Sequence, residues 1–391
     1  MRMKAGGLDM IAVYVFWIHH EEAQGVFDFT GRRDIRRFVS TAKSVGLKIL
    51  MRIGPWDHGE CRNGGHPDWV LTSCGKVRST DPKYLACVEG WYAALGNELK
   101  GYYHKDGGPI MITQVDNETP DWKFLLALRQ LGLKHGIEPT FYSKTGWPSP
   151  GPGYPADYPM LPYFGGYADL FWTNAMTAQP SSGMYAFAGD KAGNAPSEVP
   201  PGYPYLGVEI GGGMAAAYNH RTHMFSEDMP SMHLVDVADS FNGLGYYMYH
   251  GQFTLSPTRR LCALAHLPNT EHLLAVVGSG GNNPHSTVWT HDRDAPNTTL
   301  QESSFQPAGA QNPMPSESYD FFAPLGEFGQ PRRHYHQMRR LHNMIQGWGT
   351  LLASTSQTLP VTMPSAGNDN TTVSSVAISA TRTTRCHEWF S

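Results

Sequence analysis

The chain has 391 residues, and its 30 Lys and Arg against 34 Asp and Glu give a formal net charge of −4. That length supports a large buried core, and the near-balanced charge excludes a basic field for nucleic acid or an anionic membrane. No apolar run reaches the roughly 20 residues of a membrane helix. Aromatics at 12%, with 42 Gly and 29 Pro, fit a compact enzyme with elaborate loops better than a helical bundle or a disordered chain.

The opening MRMKAGGLDMIAVYVFWI imitates a signal peptide, but Asp9 interrupts the apolar stretch and no small-residue cleavage site follows. It reads as structure: a helix end followed by a strand at Met10–Trp17. Thr30 is a candidate cap for GRRDIRRFVSTAKSVG, where Ile35, Phe38, Val39, Ala42 and Val45 recur at helical spacing and Gly46 is a C-cap. A strand at Lys48–Gly54 follows. Asp81–Pro82 supplies an N-cap and first-turn proline for a helix whose stripe is Leu85, Val88, Tyr92, Leu95 and Leu99. Further strands are expected at Pro109–Val115, Pro139–Thr145, Ala168–Thr173, Tyr205–Ile210 and Leu244–His250, with DWKFLLALRQLGLKHG helical between two of them.

Seven strands separated by segments long enough for parallel crossovers predict an α/β chain, a (β/α)8 barrel short of its first strand and helix. Gln252–Gly280 fits no barrel element and reads as an untypical insertion, a retained intron by hypothesis. The catalytic domain is expected over 1–349. Residues 350–391, rich in Ser and Thr, read as a tail or the remnant of a downstream β domain. The five cysteines are odd in number and contain no CxxC pair, predicting neither a zinc site nor a disulfide framework. Sequons at Asn297 and Asn370 are usable only in a secreted chain.

The chemistry concentrates in GGPIMITQVDNE (Gly107–Glu118), an apolar strand ending in Asn117–Glu118, and in YPYLGVEIGGG, which carries Glu209. Side chains at the C-terminal ends of barrel strands face the open mouth, and two carboxylates on different strands suit glycosidic bond cleavage. The plain alternative is that each acid caps its strand. Asp116, two residues back on the same strand face, is assigned a structural role. Trp17, Trp56, Trp69 and Trp147 follow strands, and one or two of them are candidate sugar platforms. His19, His20, His334 and His336 lack a metal-ligand spacing and read as supporting or surface groups. Gly211–Ala216 satisfies G-x-G-x-x-A, so a nicotinamide-binding unit is a formal alternative, weakened by Asn219, His220 and Arg221 in the following helix.

The ordered set MKAGGLDMIAVYVFWIHHE, FDFTGRRDIRRFV, RIGPWDHGECRNGGHPDWV, GGPIMITQVDNE, GVEIGGGM, YYMYHG, NNPHS and SYDFFAPLGEFGQ resembles family 35 glycoside hydrolases, the β-galactosidases with a (β/α)8 catalytic barrel. The resemblance implies Glu118 as proton donor, Glu209 as nucleophile and Asn117 on the sugar 2-hydroxyl. It also places Tyr14, Glu60 and Tyr319 where the family binds galactose hydroxyls. It further implies retention with the carboxyl groups about 5–5.5 Å apart, β-galactoside glycans as substrates, no metal or cofactor, and a secreted, lysosomal or vacuolar setting. Ile18 replaces the Asn that usually follows the tryptophan. A β-glucosidase or glucosaminidase specificity, or an inactive remnant, are the other readings.

Overall fold

The computed structural model describes residues 1–58, 62–143, 158–162, 164–166, 203–204, 206–213, 225–238, 241–250, 320–326, 328–353, 355–358 and 377–380. In chain order the helices are α1 (Arg2–Ala5), α2 (Trp17–His20), α3 (Ile35–Ser44), α4 (Asp68–Ser73), α5 (Pro82–Glu98), α6 (Trp122–Lys134), α7 (Asp228–Ala238) and α8 (Arg333–Ala353). The strands are β1 (Met10–Tyr14), β2 (Lys48–Arg52), β3 (Ile110–Gln114), β4 (Thr140–Ser143), β5 (Leu161–Pro162), β6 (Phe164–Gly166), β7 (Leu206–Gly211), β8 (Gly243–Tyr247), β9 (Thr355–Thr358) and β10 (Ala377–Ala380).

Strands β1 to β5 form one sheet and β6 to β8 another, every pairing parallel and the spatial order following the chain. Only Tyr163 separates β5 from β6, so one segment pairs with β4 on one side and β7 on the other. The strand expected at Ala168–Thr173 lies outside the described residues. Strands β9 and β10 pair antiparallel within the Ser/Thr-rich tail, and α8 runs through Thr350 to Ala353.

The central strands are buried on both faces, which explains their nearly unbroken apolar sequences. In β2, Ile49 and Met51 enter the main core while Leu50 joins a smaller cluster with Ile112, Tyr142 and Leu161. The main core also takes in Ile210 of β7 and Tyr246 of β8, linking the two sheets. At the chain ends, α8 packs against the N-terminal turn: Tyr335 Oη donates to Arg2 O at 2.8 Å and Gln346 Nε2 to Gly7 O at 2.9 Å.

Local signals explain most boundaries. Asp81 Oδ1 accepts from Lys83 N at 2.9 Å with Pro82 in the first turn of α5, and Asp121 caps α6 through Phe124 N at 3.0 Å. Helix α3 differs from expectation. Its cap is Asp34, accepting from Arg37 N at 2.8 Å, because Thr30 precedes a separate 3₁₀ turn at Gly31–Arg33. Gly46, at φ 74°, ends α3 as expected: Leu47 N reaches Ala42 O and Gly46 N reaches Lys43 O, both at 3.0 Å.

The expectation of no disulfide is overturned. Cys74 and Cys87 form a disulfide with their Cα atoms 6.1 Å apart. Neighbour-spacing rules miss it because the pair is 13 residues apart and is brought together by the turn between α4 and α5. The proposed insertion at Gln252–Gly280 lies outside the described residues. The chain on either side of 251–319 nonetheless meets, with Leu325 N donating to Tyr249 O at 3.0 Å.

Candidate active site

The C-terminal ends of β1, β2, β3 and β7 converge on one buried arginine. Arg52, the last residue of β2, is 2% exposed. Its Nη2 donates to Asn117 Oδ1 at 2.9 Å and lies 3.9 Å from Glu209 Oε2, while the guanidinium sits 4.1 Å over the Tyr14 ring. Asn117 Oδ1 also accepts from Gln114 Nε2 at 2.8 Å, and Tyr142 Oη donates to Gln114 Oε1 at 2.9 Å. The chain Tyr142–Gln114–Asn117 therefore sets the amide of Asn117 with its oxygen toward Arg52, leaving its N–H groups as the donors for a ligand. Tyr14 also packs against Tyr247, Met248 and Phe321, so the ends of β1 and β8 meet at this mouth.

The residues after β3 do not continue the strand. Asp116 (φ 50°) and Glu118 (φ 57°) are left-handed, a conformation uncommon outside glycine and concentrated at functional sites. The two acids therefore do not share a strand face as expected. Asp116 is buried against Arg78, whose Nη2 lies 2.6 Å from Asp116 Oδ1. Glu118 is partly exposed, with Oε2 3.5 Å from His58 Nδ1. Burial raises the Asp116 carboxyl above the usual carboxylate range, with Arg78 opposing the shift. Asp57 is raised well above that range, again by burial, with Arg52 pulling it back and Asp116 pushing it further.

Of the six expected site residues, the structure brings Tyr14, Asn117 and Glu209 around Arg52 and places Glu118 next to Asn117. Glu60 and Tyr319 lie outside the described residues. No sequence motif signals Arg52, Arg78 or His58 as site groups, although Arg52 and His58 stand inside RIGPWDHGE. Trp17 is corrected from platform to core: it is fully buried, stacked on Trp91 at 6.1 Å and edge-on to Trp69 at 5.7 Å. Trp147 lies outside the described residues. His20 and His334 are buried rather than surface groups, and burial lowers each to about 4. No group of metal-binding side chains occurs among the described residues. Two glycines within the dinucleotide-like stretch have a packing reason, since a Cβ on Gly212 would lie 2.6 Å from Met248 O and one on Gly213 1.8 Å from Phe321 O.

Residues 1–255 match the family described as glycosyl hydrolases family 35. A beta-galactosidase of Mus musculus is 40% identical over 119 residues, 30% of this chain and 18% of that protein. One from Xanthomonas manihotis is 34% identical over 142 residues, 35% of this chain and 24% of that protein. The matched stretch thus spans less than a quarter of either relative. Among solved structures, GH5_18 from Bifidobacterium longum subsp. longum in complex with Manb1-4GlcNAc aligns with a TM-score of 0.50 at 11% identity, covering 88% of this chain and 71% of that one. That likeness bears on the fold alone.

Proposed function

The chain belongs to the glycosyl hydrolases of family 35, and from that premise we propose a retaining exo-β-galactosidase that removes terminal non-reducing β-D-galactosyl residues from glycans. The observation that carries the reading is the shared arginine: one Nη2 atom lies between Glu209 and the residue preceding Glu118. That shared contact supports a single mouth for Glu209 and the turn that carries Glu118. Arg52 Nη2, 3.9 Å from Glu209 Oε2, sets a cation beside the acid proposed as nucleophile. Glu118, with a side chain 23% exposed against 9% for Glu209, is the more open acid for a leaving-group oxygen to approach.

In the proposed reaction Glu209 attacks the anomeric carbon while Glu118 protonates the departing oxygen. Water then enters with Glu118 as base, and the glycosyl–Glu209 ester is hydrolysed with net retention. Asn117, oriented by Arg52 and Gln114, donates to the 2-hydroxyl, and Tyr14, Glu60 and Tyr319 hold further galactose hydroxyls. Neither step calls for a metal or cofactor. We assign the reaction to a (β/α)8-type catalytic domain over 1–349, supported by seven parallel strand positions in chain order and the GH5_18 likeness. Residues 350–391 are assigned to a Ser/Thr-rich tail or the remnant of a downstream β domain.

Parallel assays of the purified chain on aryl β-galactoside, β-glucoside and β-glucosaminide test this reading. The galactoside is expected to turn over fastest, the first-formed sugar to be the β-anomer by proton NMR, and Glu209→Gln to abolish turnover. Faster cleavage of glucoside or glucosaminide moves the assignment to that sugar. A folded chain inert on all three makes it a non-catalytic remnant.

A further inference from the structure

We propose that Arg78 is a positioning residue for Glu118, holding the turn after β3 so that the carboxyl meets the leaving oxygen; this rests on the glycosidase reading above. Arg78 Nη2 donates to two acceptors on that turn, Asp116 Oδ1 at 2.6 Å and the main-chain carbonyl of Asn117 at 2.5 Å. The second bond is the informative one. Neutralising a buried Asp116 needs only the first, whereas the Asn117 carbonyl belongs to the peptide unit that leads directly into Glu118. Fixing that peptide fixes the starting direction of the Glu118 side chain.

The turn needs such a hold. Asp116 and Glu118 both have positive φ, a conformation that persists only where its surroundings over-determine it. On the other side, Asp116 N donates to Gly54 O at 2.9 Å. Arg78 closes the clamp, its guanidinium 4.7 Å over the Trp56 ring. Trp56 in turn lies flat on Gly64, where a Cβ would meet ring atoms at 2.3–2.5 Å.

Arg78 itself stands on a braced loop. The Cys74–Cys87 disulfide ties the end of α4 to α5. Asp81 Oδ2 accepts from Lys76 N at 2.9 Å, and Ser79 Oγ donates to Lys76 O at 2.7 Å. Arg78 is left-handed too, at φ 52°. The sequence from Cys74 to Pro82 thus forms a pedestal that carries one side chain to the back of the acid-bearing turn.

A misplaced proton donor has a signature that general loosening lacks. A phenyl leaving group needs protonation, while a dinitrophenyl group departs as a stable anion without it. R78A and R78K are therefore expected to lose about 100-fold in kcat/KM on phenyl β-galactoside and no more than about threefold on 2,4-dinitrophenyl β-galactoside, the lower end of general-acid contributions. R78K keeps a cation opposite Asp116 but lacks the guanidinium plane resting on Trp56, and it decides the matter if R78A fails to fold. Equal losses on both substrates, or no loss on either, overturn the positioning role while leaving the glycosidase reading intact. A wild-type chain inert on both overturns the reading and the role of Arg78 with it.

Discussion

Arg52 is a cation placed where it has to be neutralised locally, with 2% of its surface exposed and Glu209 3.9 Å away. Removing it takes a cation away from the Glu209 side chain, itself 9% exposed, in a desolvated site. R52M is expected to lower unfolding stability in urea by about 3 kcal/mol, the range seen when one partner of a buried pair is deleted. It should also lower kcat, since Asn117 Oδ1 would keep only Gln114; unchanged stability would mean that the Arg52–Glu209 contact adds nothing net to folding. The two acids drew attention in the sequence through the ordered family 35 motifs, since a carboxylate closing a strand is by itself more often a plain cap. Arg52 did not, because an arginine at a strand end reads as ordinary polarity until Asn117, 65 residues further on, is brought to it. Arg78 was still less legible, its partners being a buried carboxylate and a main-chain oxygen.

Among the elements, α5 shows how a helix can match its sequence pattern and still hide its constraints. Its cap, first-turn proline and stripe follow directly from Asp81, Pro82, Val88, Tyr92 and Leu95. Two glycines inside it look equivalent in sequence and are not. Gly90 has nothing within 4 Å of where a Cβ would stand, whereas a Cβ on Gly96 would lie 2.0 Å from the main-chain oxygen of His135. G90A should therefore gain about 0.5–1 kcal/mol from helix propensity alone, while G96A should lose about 1–3 kcal/mol by forcing α5 away from the end of α6. Paired melting curves decide it: a stabilised G96A would mean that the contact between α5 and the end of α6 is slack. The strand pattern was readable for the same reason as the α5 stripe, periodic burial. Where the chain leaves that period, the sequence misled, as at Asp116–Glu118, whose left-handed residues break the two-residue alternation. The Cys74–Cys87 bridge also follows from a turn between helices rather than from any spacing rule.

At the scale of the whole molecule, the N-terminal turn, β8, α7 and α8 are joined through buried rings, and these make stability depend on pH. His342 Nδ1 lies 2.6 Å from Gly6 O and its Nε2 2.8 Å from Tyr246 Oη. Burial lowers its pKa from 6.5, as it lowers His20 and His334 to about 4 and His66 to about 3. Each of these rings is held neutral by the fold, while the unfolded chain protonates it at about 6.5. Below that pH the unfolded state binds more protons, so their contribution to stability is complete above pH 6.5 and is lost as pH falls toward each folded-state value. Buried Asp57, Asp116 and Asp236, whose pKa values burial raises, act with the opposite sign, because the folded protein takes up their protons first. The net slope is thus a contest between buried imidazoles and buried carboxyls, and His66 isolates one side of it. It is fully buried, bonded to Asn63 O at 3.1 Å and Tyr84 Oη at 2.7 Å, and glutamine can serve both partners without titrating. H66Q is expected to flatten the dependence of urea stability on pH between about 6.5 and 4 by about 1.4 kcal/mol per pH unit, so that the variant, though less stable at neutral pH, gains on the wild type as the solution is acidified. Parallel stability–pH curves for the two proteins would show instead that His66 is already protonated in the folded state.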